Sequence, residues 1–377
     1  MSLAPHHEQL RDAVRRYARE RLAPNAARWD RDKHFPREEV AGLAAMGLCG
    51  VAIPEEQGGA GMDYTALALA SEEISAGDGA TCTIVMVTNL VANILQGYGS
   101  EAQKKEFLAP VAQGKALGAF CLTEPHAGSD AAAITTRAEK SGTHYVLNGV
   151  KQFITSGKNA DLAIVFAVTD KAAGKKGISA FVVPTSTPGY TVARIEDKTG
   201  QRASDTAQIV LENCKVPAAH LLSTEGAGYR IALANLESGR INVAAQATGM
   251  ASAALEAALA YAGERKSMGK TLLEHQAVNF RLADMATGIE ASRQLYLHAA
   301  RLRDAGAPCL KEASMAKLFA SETAEKVTSD AIQIHGGYGY VTDFPVERIW
   351  RDVRVCQIYE GASDIQRLVI GRALETR

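Results

Sequence analysis

Residues 229–265 read YRIALANLESGRINVAAQATGMASAALEAALAYAGER and lie in a span without proline between Pro217 and Pro308. Alanine, the strongest helix former, recurs throughout this stretch. At a rise of ~1.5 Å per residue, the stretch predicts a helix of many turns. Two or three further helical segments follow it, so we expect residues 226–377 to form a bundle of long, nearly parallel or antiparallel helices.

The part of the chain before this helix has a different texture. Short runs rich in Val, Ile and Phe, each bounded by turn residues, occur at 162–168, 178–184 and 207–213, and such runs are typical of β-strands. Asn148-Gly149 stands between two further runs and predicts a hairpin turn, because both turn positions need positive φ. Residues 118–225 are therefore predicted to form a β domain, a small antiparallel barrel or sandwich.

The first part of the chain, residues 1–117, has a helical pattern. In EEVAGLAAMGLCGV (38–51) the apolar residues recur at the spacing of one helix face. The most apolar window, residues 80–95, is interrupted by Thr and Asn, which favours a buried helix over a membrane span. The predicted architecture is α+β and multi-domain, with helices at 1–117, a β domain at 118–225 and a helical bundle at 226–377.

Composition restricts the class of protein. The 377 residues are 47% hydrophobic and 22% charged, with a formal net charge of −1, whereas nucleic-acid binders normally carry a marked basic excess. The six cysteines are scattered without a CxxC pair, as in proteins of a reducing compartment. The N-terminus has no apolar signal core, so we expect a bacterial cytoplasmic protein, or a mitochondrial matrix protein in processed form.

Several familiar motifs are excluded. No GxGxxG follows a predicted strand, which argues against a Rossmann dinucleotide site. GERKSMGKT (263–271) has five residues between its glycines, where a phosphate-binding P-loop has four. His and Cys show no zinc spacing, and no metal site is predicted.

Four loop segments carry unusual combinations of small, polar and aromatic residues. Each one alone has the composition of an ordinary cap or turn. Together they indicate a ligand site, because their glycines let backbone approach a ligand closely. The segments are AFCLTEPHAGSDAA (119–132), KQFITSG (151–157), QIHGGYGYVTD (333–343) and YEGASD (359–364).

In this order and at these distances, the segments resemble motifs of the acyl-CoA dehydrogenase family. LTEPHAGSD, ERKSMGKTLLEHQ, QIHGGYGY and QIYEGASDIQRLVI carry the resemblance, and EASMAKLFASE is most similar to the short-chain, butyryl-CoA type branch. The resemblance implies an N-terminal helical domain, a middle antiparallel β-barrel-like domain and a C-terminal four-helix bundle. It also implies FAD as cofactor, a homotetramer built as a dimer of dimers, and an electron-transfer flavoprotein as electron acceptor.

The reaction implied by the resemblance is α,β-desaturation of a short straight or branched acyl-CoA. Fatty acid β-oxidation and branched-chain amino acid catabolism are the pathways it suggests. Glu360 matches the family's catalytic base, and a dry pocket would raise the pKa of this carboxyl and so its strength as a base. Some branches place the base just before the arginine that matches Arg240, where this chain has Gly239.

The resemblance also implies binding roles for further residues. The flavin ring is expected between Phe120, Leu122 and Thr123 on one side and Phe153, Ile154 and Thr155 on the other. Arg265 and Gln276 are expected at the FAD pyrophosphate, and the 333–337 backbone at the partner subunit's flavin. The other expected cofactor contacts are Ser129, Gln333, Gly336, Gly337, Ala362, Ser363 and Asp364. The expected substrate contacts are Ser129, Glu237, Arg240 and Gly361.

The sequence departs from the family pattern at His126, Phe153, Met268 and Ala362, which leaves the preferred acyl chain length open. Two alternatives also stay open. One is an oxidase-like flavoenzyme that uses O2 as acceptor, and the other is a helical binding protein without catalysis.

Overall fold

The computed structural model describes residues 3–375. Its N-terminal part is helical, with a π-helical turn at Ala18–Leu22 and another at Lys104–Leu108. The helices are α1 (Pro5–Tyr17), α2 (Ala23–Asp32), α3 (Arg37–Ala45), α4 (Tyr64–Gly77), α5 (Gly79–Tyr98), α6 (Glu101–Gln103) and α7 (Ala109–Ala112).

Helix α5 contains the apolar window of the sequence. Within residues 3–375 it is the one helix long and apolar enough to cross a membrane by length and composition, and 83% of its apolar window is buried inside the protein. The expectation of a buried core helix is confirmed.

The middle part is a seven-stranded sheet. Its strands are β1 (Gly118–Cys121), β2 (Arg137–Ser141), β3 (His144–Thr155), β4 (Leu162–Val168), β5 (Ile178–Pro184), β6 (Tyr190–Ile195) and β7 (Thr206–Pro217). The order is β1-β4-β2-β3-β7-β6, and β5 pairs with β4 along the whole strand, from Leu162 to Val168. Most pairs are antiparallel, but β1 and β2 both run parallel to β4, so the sheet is mixed where an antiparallel one was expected.

The predicted hairpin at Asn148-Gly149 is wrong. Both residues lie inside β3, which pairs with β7 through a bulge between Leu147 and Gly149. The Asn148 side chain accepts a hydrogen bond from the Asn213 backbone N–H of β7 at 2.8 Å. The reversal occurs earlier, at Gly142 with φ of 59°, between β2 and β3. Pairing with a long partner strand therefore outweighs the local turn preference of Asn-Gly.

The C-terminal part consists of three long helices and two shorter ones. They are α8 (Gly228–Glu264), α9 (Gln276–Asp304), α10 (Leu310–His335), α11 (Val346–Val353) and α12 (Ser363–Glu375), with a small hairpin of β8 (Lys266–Ser267) and β9 (Lys270–Thr271) after α8. This confirms the helical C-terminal part expected from the sequence.

Helix α8 is the centre of this part. It packs against α4, α5, α9 and α10, and every residue from 238 to 251 is buried. A helix surrounded on all sides has no polar face, which explains the alanine-rich sequence: small side chains let several helices approach one axis. At Gly249 the approach is closest, since an added Cβ would lie 2.8 Å from the Glu72 carbonyl carbon of α4.

We expect Gly249→Ala to destabilise the protein by roughly 1–3 kcal/mol, because the methyl group would force α4 and α8 apart. Gly263→Ala in the same helix is the matched control, since nothing lies within 4 Å of its added Cβ; a gain of up to ~1 kcal/mol is expected there from helix propensity. Urea unfolding followed by circular dichroism measures both variants. Equal stability of the two variants would contradict the close approach.

Candidate active site

Glu360 lies on a short turn between a 3-10 turn at Arg354–Gln357 and helix α12. Its φ is 54°, and φ of Gly361 is 89°. Left-handed backbone is uncommon for a residue with a side chain, and such strain clusters at functional sites. The two consecutive left-handed residues turn the chain back toward α8 and α10.

The Glu360 carboxyl lies against α8 at Gly239. Its Oε2 is buried and has no hydrogen-bond partner among the described residues. A Cβ at Gly239 would lie 3.0 Å from Cδ of Glu360 and overlap Oε2. Gly239 therefore provides the space that the carboxyl fills, and a side chain at position 239 and the Glu360 carboxyl exclude each other.

Two buried cations flank this carboxyl. Arg240 of α8 donates to Ser314 Oγ at 3.3 Å, and the Lys317 side chain of α10 is fully buried. Burial raises the pKa of Glu360 to about 7, against the opposing charges of Arg240 and Lys317. Burial likewise lowers the pKa of Lys317 to about 8. The carboxyl therefore changes its charge near neutral pH, as a general base needs.

The turn is fixed by hydrogen bonds to its carbonyl groups. Gln366 Nε2 donates to the Gly361 carbonyl at 2.7 Å and to the Glu360 carbonyl at 3.2 Å, and Gln366 is fully buried. The spacing of Ile365, Leu368 and Val369 in the sequence predicts a buried apolar face on α12. In the structure Leu368 is 54% exposed, and Ile365 and Val369 are half-buried. A polar side chain therefore anchors the turn to α12.

A buried polar network extends from Tyr359, the residue before Glu360. The Tyr359 hydroxyl donates to Gln246 of α8, and Gln246 Nε2 donates to the Gly79 carbonyl at 2.9 Å and to Thr83 Oγ1 at 2.7 Å. Thr83 donates to Gln201 at 2.6 Å. Sequence reasoning missed this network; its one local signal is the presence of Gln and Thr in otherwise apolar helices.

The two segments expected around the flavin ring lie side by side. The Gln152 N–H donates to the Thr123 carbonyl at 2.9 Å. Lys151 Nζ donates to the Leu122 carbonyl at 3.1 Å and to Glu124 Oε1 at 2.8 Å. Both Lys151 and Glu124 are buried, and this ion pair ties the 119–132 loop to β3.

The individual side chains of these segments differ in exposure. Phe153 is 63% exposed and has φ of 58°, so its ring is presented on the surface of the sheet. Ile154 is buried in the core of the sheet, and Phe120 packs on Phe166 with ring centroids 5.0 Å apart. Ile154 can thus meet a cofactor only through its backbone. Thr123 and Thr155 are both half-buried.

These segments suit a flavin. Thr123 and Thr155 offer hydroxyl and backbone groups to a polar ring edge, and Phe153 offers an aromatic face. The hydroxyls of Ser156 and Ser363 are buried without a hydrogen-bond partner among residues 3–375. Ser129 and Asp364 are exposed, and Ala362 is half-buried.

The residues expected at the pyrophosphate lie at the far end of α8. Arg265, Gly336 and Gly337 line a surface cavity of about 790 Å³, and the Arg265 guanidinium lies 5.8 Å from the Tyr338 ring centroid. Gln276 and Gln333 are exposed. A guanidinium next to glycine backbone suits a diphosphate.

Glu237, one turn before Arg240, is engaged within the protein. It forms an ion pair with Arg303 at 2.9 Å and accepts a hydrogen bond from the Cys309 thiol at 3.2 Å. Arg303 also lies 4.3 Å from the Tyr64 ring centroid. Contact of Glu237 with a substrate stays a prediction.

The chain is similar to known proteins over nearly all of its length. The acyl-CoA dehydrogenase family models match in three pieces, the N-terminal domain at 4–115, the middle domain at 119–214 and the C-terminal domain at 226–375. The human mitochondrial short-chain specific acyl-CoA dehydrogenase is 46% identical over 371 residues, which are 98% of this chain and 90% of that protein.

Solved structures of similar proteins share the fold. Butyryl-CoA dehydrogenase from Megasphaera elsdenii superposes with a TM-score of 0.98 at 41% identity, covering 100% of this chain and 99% of that one. A chain solved in a study of the electron transferring flavoprotein of Acidaminococcus fermentans and flavin-based electron bifurcation also has a TM-score of 0.98, at 44% identity and 99% coverage of both chains.

We expect Glu124→Gln to destabilise the protein by about 3–5 kcal/mol at pH 7, because it leaves the Lys151 ammonium buried without its counter-charge. Although burial opposes ionisation of Glu124, Lys151 and the hydrogen bonds from Thr135 and Thr136 lower its pKa to about 2. The Lys151–Glu124 ion pair therefore contributes to the free energy of unfolding above pH ~4.5, and this contribution is lost as the pH falls toward 2.

Urea unfolding measured between pH 2 and 8, together with FAD content at pH 7, tests this variant. Glu139→Gln is the control, because Glu139 forms an exposed ion pair with Arg137 on β2, and less than ~1 kcal/mol is expected for it. A similar small loss in both variants would show that the Lys151–Glu124 pair does not hold the two segments together.

Proposed function

The chain belongs to the acyl-CoA dehydrogenase family of FAD-dependent oxidoreductases acting on CH–CH bonds, and we propose that it desaturates short acyl-CoA thioesters, with Glu360 as the base. The observation that carries this proposal is the buried Glu360 carboxyl, with Oε2 unpartnered among the described residues and pKa raised to about 7. A free carboxylate oxygen in a dry site can accept a proton that is only weakly acidic.

The residues of this chain perform the proton half of the reaction. Glu360 Oε2 takes the α-proton of the thioester. FAD, held by the 119–132 and 151–157 segments, would supply the acceptor for the hydride of the β-carbon. Negative charge then develops on the thioester oxygen, and the fixed charges of Arg240 and Lys317 favour that charge in a site of low dielectric. Because the base must be ionised, the rate should rise with pH through about 7.

A short acyl chain is proposed because the space beyond Glu360 is filled. Gln246 lies seven residues after Gly239, so it faces the same side of α8 about 10 Å further along the axis. Its hydrogen bonds to Tyr359, Thr83 and Gly79 close that side with buried polar groups. The similarity to the short-chain and butyryl-CoA dehydrogenases agrees with a shallow acyl pocket.

An oligomer with a shared flavin site is proposed from the geometry of α8. Arg240 and Arg265 are 25 residues apart in sequence, or about 38 Å along the helix axis, which is too far for one flavin to reach both. Arg265 therefore serves the cofactor of a second copy. The exposed apolar side chains of Met268, Phe280 and Tyr340, which are 93%, 59% and 88% exposed, lie in the segments around Arg265 and Gly337 and suit an interface. A homotetramer is the proposed assembly.

The proposed electron acceptor is an electron-transfer flavoprotein, which agrees with the similar chain from the Acidaminococcus fermentans study. The proposed compartment is the bacterial cytoplasm, or the mitochondrial matrix for a processed form. All six cysteines are buried free thiols, which suits a reducing compartment.

We expect Glu360→Gln to keep FAD bound and to lower flavin reduction by butyryl-CoA at least 10³-fold, because the amide cannot accept the α-proton. Anaerobic bleaching of the flavin absorbance measures this reaction. Glu256→Gln is the control, since Glu256 forms an exposed ion pair with Arg19. Reduction near the wild-type rate would remove Glu360 from the base role.

The same preparation distinguishes the other functions. Re-oxidation of the reduced enzyme by electron-transfer flavoprotein, with little peroxide formed in air, is expected for a dehydrogenase. Rapid peroxide formation would identify an oxidase, and a colourless protein that binds acyl-CoA without reaction would identify a binding protein.

We expect Gln246→Ala to move the preference toward longer acyl chains, because it opens the closed side of the pocket. Two extra buried methylene groups are worth about 1.6 kcal/mol, so the ratio of kcat/KM for hexanoyl-CoA to that for butyryl-CoA should rise roughly tenfold. Gln294→Ala on the exposed face of α9 is the control. An unchanged ratio in a stable, FAD-loaded Gln246→Ala protein would place the end of the pocket elsewhere.

A further inference from the structure

We propose that Lys317 is a positioning residue for Glu360: its ammonium holds the turn through the Gly361 carbonyl, and its charge sets the pH at which the base is ionised. This inference rests on the proposed function for its kinetic test only. The Lys317 side chain is fully buried, and Nζ donates to the Gly361 carbonyl at 2.7 Å.

A buried lysine without an ion pair is costly to a protein. No carboxylate of residues 3–375 lies within ion-pair distance of Lys317, and the same holds for Arg240. The ammonium is nevertheless buried between α10 and the Gly361 turn, where an apolar side chain of similar length would be less costly to bury. Stability of the fold does not explain the lysine, whereas its contact with the catalytic turn does.

The turn is held from two sides. Lys317 of α10 and Gln366 of α12 both donate to the Gly361 carbonyl, each at 2.7 Å. The strained left-handed backbone of Glu360 and Gly361 persists only if its surroundings fix it. Gln366 supplies a neutral hydrogen bond and Lys317 a charged one, so the two can be tested separately.

The charge of Lys317 acts on few groups. The charged or titratable groups that face it are Glu360 on the turn, Arg240 on α8, Glu322 on its own helix and Cys356 on the preceding 3-10 turn. Glu322 is half exposed and paired with Arg367, and burial raises the pKa of the Cys356 thiol to about 12, so that thiol stays neutral. Glu360 is therefore the buried anion that responds to Lys317.

Lys317→Met is expected to shift the acidic limb of the pH–rate profile to higher pH, where the rate is that of flavin reduction by butyryl-CoA. Loss of a nearby cation raises the pKa of a carboxyl by about one unit or more. A shift from about 7 to about 8 lowers the ionised fraction at pH 7 roughly fivefold. By pH 9 the carboxyl is ionised in both proteins, so the rates should converge.

Three variants separate charge from anchoring. Gln366→Met removes both hydrogen bonds from Gln366 to the turn without changing charge, so the rate of flavin reduction should fall while the acidic limb of its pH profile stays in place. Lys326→Met removes the charge of a lysine on the same helix that is 72% exposed. This variant should change neither the rate of flavin reduction nor the position of the acidic limb. If Lys317→Met lowers the melting temperature and leaves the acidic limb unmoved, Lys317 is a structural anchor only and the proposal is wrong.

A second measurement needs no turnover. Because the pKa of Glu360 is raised on folding, its ionisation destabilises the protein as pH rises from ~4.5 to about 7, and the loss is then complete. The difference in melting temperature between Glu360→Gln and wild-type FAD-loaded protein should thus grow with pH and level off near 7. When both proteins also carry Lys317→Met, this difference in melting temperature should level off about one pH unit higher.

Flavin reduction and melting temperature together distinguish a failure of the proposed function from a failure of the Lys317 proposal. A wild-type protein that fails to reduce its flavin with any acyl-CoA contradicts the proposed function, while the melting temperatures still test Lys317. Levelling at the same pH with and without Lys317 would overturn the positioning role even in an active dehydrogenase.

Discussion

The contact between the Glu360 carboxyl and Gly239 depends on the buried centre of α8, and the rest of the site depends on that contact. Residues 238–251 have neighbours on all sides, so α8 cannot move away from a side chain that approaches it. Gly249 provides space for the backbone of α4, and Gly239 provides space for a carboxyl. The rigid helix thereby fixes the position of the Glu360 carboxyl, while the turn that carries it is short and strained.

The features that the sequence predicted are those with local causes. The length of α8 follows from residues without proline and rich in alanine, and the mostly buried α5 follows from its apolar window. The hairpin at Asn148-Gly149 failed because β7 offers pairing along the whole of β3, and this non-local gain exceeds the turn preference. The burial expected at Leu368 failed because Gln366 anchors α12; periodicity shows which residues share a face but not what that face meets.

Most of the polar contacts of the site could not be predicted from the sequence. Glu360 was predicted because its motif is local, but Thr83, Gln201 and Gln246 come from three distant segments and become one network only after the domains pack. Lys317 is similar, because a lysine within a helix is normally solvated. Its burial depends on α8 and on the 3-10 turn that carries Cys356, which lies 39 residues further along the chain.

Burial raises and nearby cations lower the pKa of Glu360, and its proposed role as the base needs both effects. Burial alone would keep the carboxyl protonated at neutral pH, so that no base would be present. The cations Arg240 and Lys317 alone would lower its pKa until it could not take a weakly acidic α-proton. Their balance, with the pKa near 7, suits the proposed role of Glu360 as a base that is ionised and still strong enough to take the proton. In the proposed reaction Glu360 becomes neutral after proton transfer while both cations remain, so the positive field would be strongest when the thioester oxygen becomes negative.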